Sequence, residues 1–261
     1  MDNAANPAAK VNEDGSISLL YQDLRDHQTK VSRSPDGIEF PSGEKASPHH
    51  FRAMTLPDGT YRAYIWEPVA GALVSESSRD GVNFSRDTGT RYVLHSDDKG
   101  RMGVYDLFVD RSGGVVILYI GDMSGLNNIR RAYSRDNGWT FTFDRGNILG
   151  DAGFGGGGRS FVDQKALVLP DGRVRLFTMK SGTLFSFISN DGGSTFTQED
   201  FELRPRDFTG HKLISLHDPQ PVRLPDGRYR IYVTGIIDDG RPVGQSGPAA
   251  KQTIVSATTT R

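Results

Sequence analysis

Apolar and polar residues exchange places in short runs along this chain, and tight turns separate the runs. Arg228 to Val233 reads Arg-Tyr-Arg-Ile-Tyr-Val, the period-two pattern of a strand with one buried face. Before it stands Leu224-Pro225-Asp226-Gly227. There Pro presets the backbone, Asp caps the turn and Gly takes the positive φ. Two short strands joined by a turn are predicted from His217 to Gly235. The same unit returns at Asn12–Tyr21, Leu56–Tyr64 and Leu169–Phe177, and in degenerate form at Arg111–Tyr119. Between these units lies a second recurring pattern, a polar turn that closes on an aromatic. It stands as Ser34-Pro35-Asp36-Gly37-Ile38-Glu39-Phe40 and Ser78-Arg79-Asp80-Gly81-Val82-Asn83-Phe84. Fuller copies are Ser134-Arg135-Asp136-Asn137-Gly138-Trp139-Thr140-Phe141 and Ser189-Asn190-Asp191-Gly192-Gly193-Ser194-Thr195-Phe196.

Each repeat therefore predicts strand, turn, strand, loop, strand, Asp turn, strand. Four antiparallel strands repeated radially make a propeller blade. The expected fold is all-β, a single five-bladed β-propeller domain over 1–261, with blades near 1–45, 46–100, 101–155, 156–210 and 211–261. The last repeat stops at Thr253–Arg261, where an Asp turn would begin, and the first offers a short inner strand around Pro7 to Val11. Blade five is expected to lack its outer strand or borrow one, with closure resting on inner strands and not on a swapped terminal strand.

Composition narrows the function classes. The 31 Gly and 13 Pro favour many strands over long helices, and 10 % aromatics suffice for a core. A net charge of −1 with interspersed signs points to no nucleic-acid or membrane surface. With no cysteine, disulfides, thiolate metal sites and thiol nucleophiles all drop out. No cofactor or metal is expected, and a monomer is. There is no bilayer-length apolar run and no signal-peptide pattern after Met1. The compartment stays open: secreted or periplasmic if a signal was removed, cytoplasmic otherwise.

The Ser-x-Asp-x-Gly-x-Thr-Phe copies resemble the Asp-box (BNR) repeats of sialidases and related propellers. The Asp-Pro…Leu-Pro-Asp-Gly-Arg-Tyr-Arg unit is similar to blades of five-bladed glycosidases of the arabinanase, xylosidase and fructosidase type. The resemblance spans nearly the whole chain. It implies a carbohydrate ligand at the channel mouth and acidic residues at the inner-strand starts of successive blades. The Asp turns themselves are read as staples, because a turn Asp accepts backbone N–H groups and the aromatic packs between sheets.

Registering the repeats on their turns places Asn6, His50, Asp163 and Asp218 at inner-strand starts, with Tyr105 beside Asp106 in the degenerate third unit. Glycoside hydrolysis needs one carboxyl kept protonated and a second ionised. By position the resemblance implies Asp163, Asp218 and Asp106 as catalytic carboxylates. Asn6 stands where that family's first blade has an Asp, and an amide is no base. Further candidates for the binding face are His50, Trp66, Glu67, Arg159 and His217, with Arg130 as a second cation for an acidic sugar. A strand-entrance Asp also caps turns, so a non-catalytic carbohydrate-binding or protein-interaction propeller is the alternative function. The run Gly153–Gly158 matches a dinucleotide fingerprint in form only, since a strand is predicted to follow it and not a helix; it is read as a loop beside Asp163.

Overall fold

In the computed structural model, residues 1–98, 102–123, 126–150, 160–238, 240 and 251–259 are described. Each repeat forms an antiparallel sheet whose strands follow one another in chain order. The first holds β1 (Ala4–Val11), β2 (Ile17–Asp23), β3 (Gln28–Ser34) and β4 (Glu44–Lys45). The second holds β5 (Met54–Thr55), β6 (Tyr61–Glu67) and β7 (Ala72–Ser78), with a broken outer strand. Its pieces, β8 (Ser85–Arg86) and β9 (Tyr92–Val93), pair with opposite ends of β7. The third is β10 (Tyr105–Val109), β11 (Val115–Met123), β12 (Leu126–Ser134) and β13 (Thr142–Arg145). The fourth is β14 (Val162–Val168), β15 (Val174–Lys180), β16 (Thr183–Ser189) and β17 (Thr197–Leu203). The last has three strands, β18 (Leu213–Arg223), β19 (Tyr229–Ile237) and β20 (Gln252–Thr258). The fold is an all-β, five-bladed β-propeller.

The chain divides into two compact units. One comprises Met1–Pro48, Phe177–Phe185 and Phe201–Arg261, the other His49–Leu176 and Ser186–Asp200. In the first, Ile17, Leu19 and Tyr21 alternate along β2 and pack with Val222, Leu224, Tyr232 and Ile254 of the last sheet. In the second, Val115, Ile117 and Tyr119 of β11 pack with Tyr64, Leu73, Tyr92 and Phe141. Period-two alternation supplies both cores, because every second side chain of a strand shares one face.

The Asp turns are held locally before they touch anything else. Ser34 Oγ donates to Asp36 Oδ1 (2.9 Å) and accepts the Gly37 N–H (3.0 Å), while Asp36 Oδ1 also takes the Ile38 N–H (2.8 Å). Ser78–Asp80, Ser134–Asp136 and Ser189–Asp191 repeat the scheme. Two of the turns, those of Asp36 and Asp136, leave over a pair of carbonyls facing outward, and an Arg-x-Tyr on a neighbouring second strand takes them up. In the first unit Arg230 Nη1 donates to Asp36 O (2.6 Å) and Tyr232 OH to Gly37 O (2.7 Å). In the second unit Arg62 Nη1 donates to Asn137 O (2.7 Å) and Tyr64 OH to Gly138 O (3.0 Å). Burial pushes the Tyr64 phenol up to about 12, so it remains a donor. Arg62 is fully buried, lies 3.8 Å over the Trp139 ring and bonds Ser77. The fourth repeat reads Arg175-Leu176-Phe177, and there the arginine pairs within its own sheet with Glu199 (2.7 and 2.8 Å).

Two expectations change. The first inner strand is full length at eight residues, not a short piece around Pro7 to Val11. The last sheet does lack a full outer strand, but an N-terminal segment partly supplies one. Asp2 bridges Thr253, Asn3 N–H donates to Gln252 O (2.9 Å), and Met1 and Ile254 exchange both backbone bonds (2.8 Å each). An edge strand presents a row of unpaired donors and acceptors, and a nearby extended segment satisfies them.

Arg62→Met should destabilise the protein by about 3 kcal/mol in urea unfolding, because Asn137 O then loses its buried donor. Arg175→Met, which breaks a half-exposed pair inside one sheet, should cost under about 1 kcal/mol. Equal effects would dismiss the turn-docking role of Arg62. The Asp80 carboxyl is held well below the usual range by the Asn83 N–H, the Ser78 hydroxyl and the Asn83 side chain. Stability from a depressed carboxyl is present above its unfolded pKa and lost as pH falls through the folded one. The melting temperature should therefore drop below about pH 4, and Asp80→Asn should flatten that drop.

Candidate functional site

Counting back nine residues from the positive-φ glycines of the five turns, Gly15, Gly59, Gly113, Gly172 and Gly227, reaches Asn6, His50, Val104, Asp163 and Asp218. Three of these share a backbone conformation that L-residues seldom adopt. Asn6 has φ 53°, Asp163 φ 55° and Asp218 φ 49°. The left-handed region costs a residue with a Cβ roughly 1–2 kcal/mol, and Asn and Asp bear it best because their short polar chains bond locally. In β1 the pairing to β2 slips between Ala5 and Ala8, and in β18 the pairing to β19 slips between His217 and Gln220. Asn6-Pro7 opposite Tyr21 and Asp218-Pro219 opposite Val233 are thus bulges, two residues against one, where the missing Pro N–H costs no ladder bond. A bulge turns the side chain away from the strand's regular alternation. Asp and Asn at these positions accordingly have a backbone cause as well as a chemical one.

In the first unit, polar groups gather where β1, β2, β18 and β19 meet. The exposed Asn6 donates from its backbone N–H to Thr234 Oγ1 (3.0 Å) and from Nδ2 to Gln22 Oε1 (2.9 Å). Thr234 is buried and stands opposite His217 in the ladder. His217 Nε2 lies 2.8 Å from Ser215 Oγ. Next to His217, Asp218 is half-buried. Thr234 and Gln22 carried no sequence signal of a role. Only the fold brings them to Asn6.

In the second unit, Asp163 is half-buried at the start of β14. Its neighbour Gln164 is buried and donates to Val104 O (2.7 Å) and Leu118 O (3.1 Å), which pins the strand start. Asp106 has a different occupation from the one its neighbourhood to Tyr105 suggested. The β10–β11 ladder runs without a slip, so the third repeat has no bulge, and its equivalent position is Val104. The buried Asp106 carboxylate is ion-paired to Lys165 and accepts the Ala166 N–H (2.7 Å), tying β10 to β14.

The remaining candidates separate. His50 leaves the strand-start set, because Pro48–Phe51 winds into a helical turn and the inner strand shortens to Met54–Thr55. Its Nε2 lies 2.8 Å from Glu76 Oε2, and its ring stacks on Phe84 at 4.3 Å. Trp66 lies on β6, half-buried against the second unit's core. Glu67 accepts from Arg86 Nη2 (2.6 Å). Arg130 is fully buried, its Nε 2.9 Å from the equally buried Asp98, which also accepts the Tyr119 hydroxyl (2.9 Å). It is no surface cation for an acidic sugar. Arg159 and the Gly153–Gly158 run lie outside the described residues. Among the described residues no group of three or more His, Asp or Glu could hold a metal ion, and no helix is long and apolar enough to cross a membrane.

No protein-family model matches the chain, and no curated protein does. Solved structures do. A thermostable family-43 glycoside hydrolase is 11 % identical with a TM-score of 0.66, the match covering 99 % of this chain and 90 % of that one. An endo-1,4-beta-xylanase from Bacteroides thetaiotaomicron is also 11 % identical at a TM-score of 0.66, with coverage of 99 % and 95 %. A Dyadobacter fermentans protein of unknown function is 17 % identical at a TM-score of 0.54, with coverage of 97 % and 83 %. The likeness is one of fold.

Asp218→Gly should be about 1 kcal/mol more stable than Asp218→Ala, because both lose the same side chain and only glycine enters the left-handed region freely. Urea unfolding of the pair checks this. An alanine variant as stable as the glycine variant would mean that the backbone cost at this position is absent.

Proposed function

We propose that the protein is a glycoside-hydrolase-like propeller that acts on a carbohydrate, with Asp218 and Asp163 as its candidate carboxylates. The observation that carries this reading is the recurrence of a left-handed Asn or Asp at equivalent repeat positions on the inner strands (Asn6, Asp163, Asp218), on a fold shared with glycoside hydrolases. Backbone strain that recurs at matched positions in separate repeats is the kind kept where a side chain must be aimed. Hydrolysis of a glycoside then needs one carboxyl as acid and one as base or nucleophile. Each Asp is half-buried, so each can meet a ligand. Asp106 enters this reading as a positioning residue. Through Lys165 and Ala166 it fixes β14, the strand that begins with Val162 and Asp163. His217 and Asn6 would meet sugar hydroxyls. The Ser-x-Asp turns, which resemble sialidase Asp boxes, stay outside the chemistry as staples.

A second reading, a carbohydrate-binding propeller without hydrolysis, is favoured by one residue. At the first-sheet position equivalent to Asp163 and Asp218, the chain has Asn6, exposed and bonded to Gln22. An amide donates to and accepts from hydroxyls but does not take a proton at neutral pH.

The test is hydrolysis of aryl arabinoside, xyloside, fructoside, mannoside and sialoside by the wild type, Asp163→Asn and Asp218→Asn. Turnover that falls by a factor on the order of 10³ or more in both variants, at unchanged melting temperature, is the expected result. Turnover that survives both substitutions would move the site elsewhere. No turnover on any sugar, with glycan-array binding that Asp218→Asn removes, would favour the binding protein.

A further inference from the structure

Within the first unit, β18 leaves its regular pairing with β19 at two places. One is Asp218-Pro219. The other is Ile214, since Leu213 stands opposite Ile237 and Ser215 opposite the adjacent Ile236. In a regular strand Leu213 and Ser215 would share a face, and the surplus Ile214 prevents it. Leu213 instead lies on the buried side with Leu216. A Cβ on Gly235, which stands opposite Leu216, would come within 2.8 Å of Leu213 Cδ1. Ser215 and His217 are left together on the other side, both half-buried. The slip, and not the plain alternation, puts a hydroxyl beside the imidazole.

The turn between β15 and β16 then holds Ser215 in place. Leu216 N–H donates to Gly182 O (2.9 Å), which seats that turn on β18. Gly182 has φ 77° and follows Ser181 at φ 54°, the left-handed pair of a tight hairpin. A Cβ on Gly182 would lie 2.6 Å from Ser215 Oγ and 3.1 Å from its Cα, so the turn backbone presses against the serine. The Ser215 hydroxyl lies 2.8 Å from His217 Nε2. His217 stands opposite the buried Thr234, which accepts the Asn6 N–H, and Asp218 follows it in the chain. We propose that Ser215 is a positioning residue: its hydroxyl holds the His217 imidazole in one rotamer and one tautomer, so that the ring meets a sugar hydroxyl beside Asp218. The sugar rests on the glycoside reading above; the hold on the ring does not. A neutral imidazole has one donor and one acceptor nitrogen, and a partner at Nε2 sets which role Nδ1 takes. Without that partner the ring exchanges tautomers, and many encounters with a hydroxyl are mismatched. Ser215 carries no sequence signal of this role, because the slip at Ile214 and the approach of Gly182 arise only in the fold.

The test is NMR of the imidazole nitrogens at mildly alkaline pH, on the full chain as wild type and Ser215→Ala, with His217→Gln to assign the signal. His217 should show one tautomer in the wild type and a mixture in Ser215→Ala. On the aryl glycoside that the wild type cleaves, or the glycan that it binds, Ser215→Ala should raise KM or Kd about tenfold. Any kcat and the melting temperature should stay unchanged, because the bond serves ground state and transition state alike. Loss of packing alone would move neither the tautomer nor KM. An unchanged His217 signal in Ser215→Ala would overturn the proposal whatever the turnover, and so would an unchanged KM or Kd. A protein that neither cleaves nor binds any sugar, but whose His217 signal changes as stated, would overturn the glycoside reading and leave Ser215 as the residue that orients His217.

Discussion

Hydrogen bonds from a buried arginine and tyrosine onto two turn carbonyls join sheet to sheet within each unit of this protein. A tight turn can satisfy its own N–H groups with a Ser hydroxyl and an Asp carboxylate, as Ser34 and Asp36 do. It cannot satisfy its outward carbonyls, and a buried carbonyl without a donor costs about 1–3 kcal/mol. Arg230 with Tyr232, and Arg62 with Tyr64, meet that requirement. Because the donors stand at matched positions on second strands, one local rule of turn chemistry becomes a rule of packing. Where the third sheet presents no such pair, Arg131 Nη2 reaches Gly192 O instead (3.3 Å).

A second constraint separates scaffold from candidate chemistry. The turns at one end of each sheet use their aspartates internally, so those carboxylates are held ionised and are not free to change role. The inner strands carry the left-handed residues Asn6, Asp163 and Asp218, the last midway along β18 and not at its start. There the backbone is bent at a cost, and the side chain escapes the regular alternation. Asp106 shows the difference. Close in sequence to a strand start but on an unbulged ladder, its carboxylate turns to Lys165 and Ala166 and becomes structural.

Much of the fold was legible beforehand because its signals are local. The Pro-Asp-Gly turns, the period-two alternation and the Ser-x-Asp turns need no partner far along the chain. From them followed the five sheets, their order and the missing outer strand of the last. The candidate site was legible in part. Asp163 and Asp218 are visible by register, but their left-handed backbone is not, and that conformation gives a second reason for Asp and Asn to stand there. His50 had the right spacing, yet Pro48 starts a helical turn and carries it to Glu76 and Phe84. Arg130 read as a surface cation and is instead buried against Asp98.

The sequence alone determined strand, turn and repeat, since each depends on residues only a few positions apart. Tertiary structure alone decided which polar groups are spent on packing and with which partners. Whether Asp106 finds Lys165, whether Thr234 lies under Asn6, and whether Met1–Asn3 reaches β20 depend on approaches between segments remote in the chain. Such approaches are selected by burial and by the need to satisfy every buried donor and acceptor, and no local pattern records their outcome.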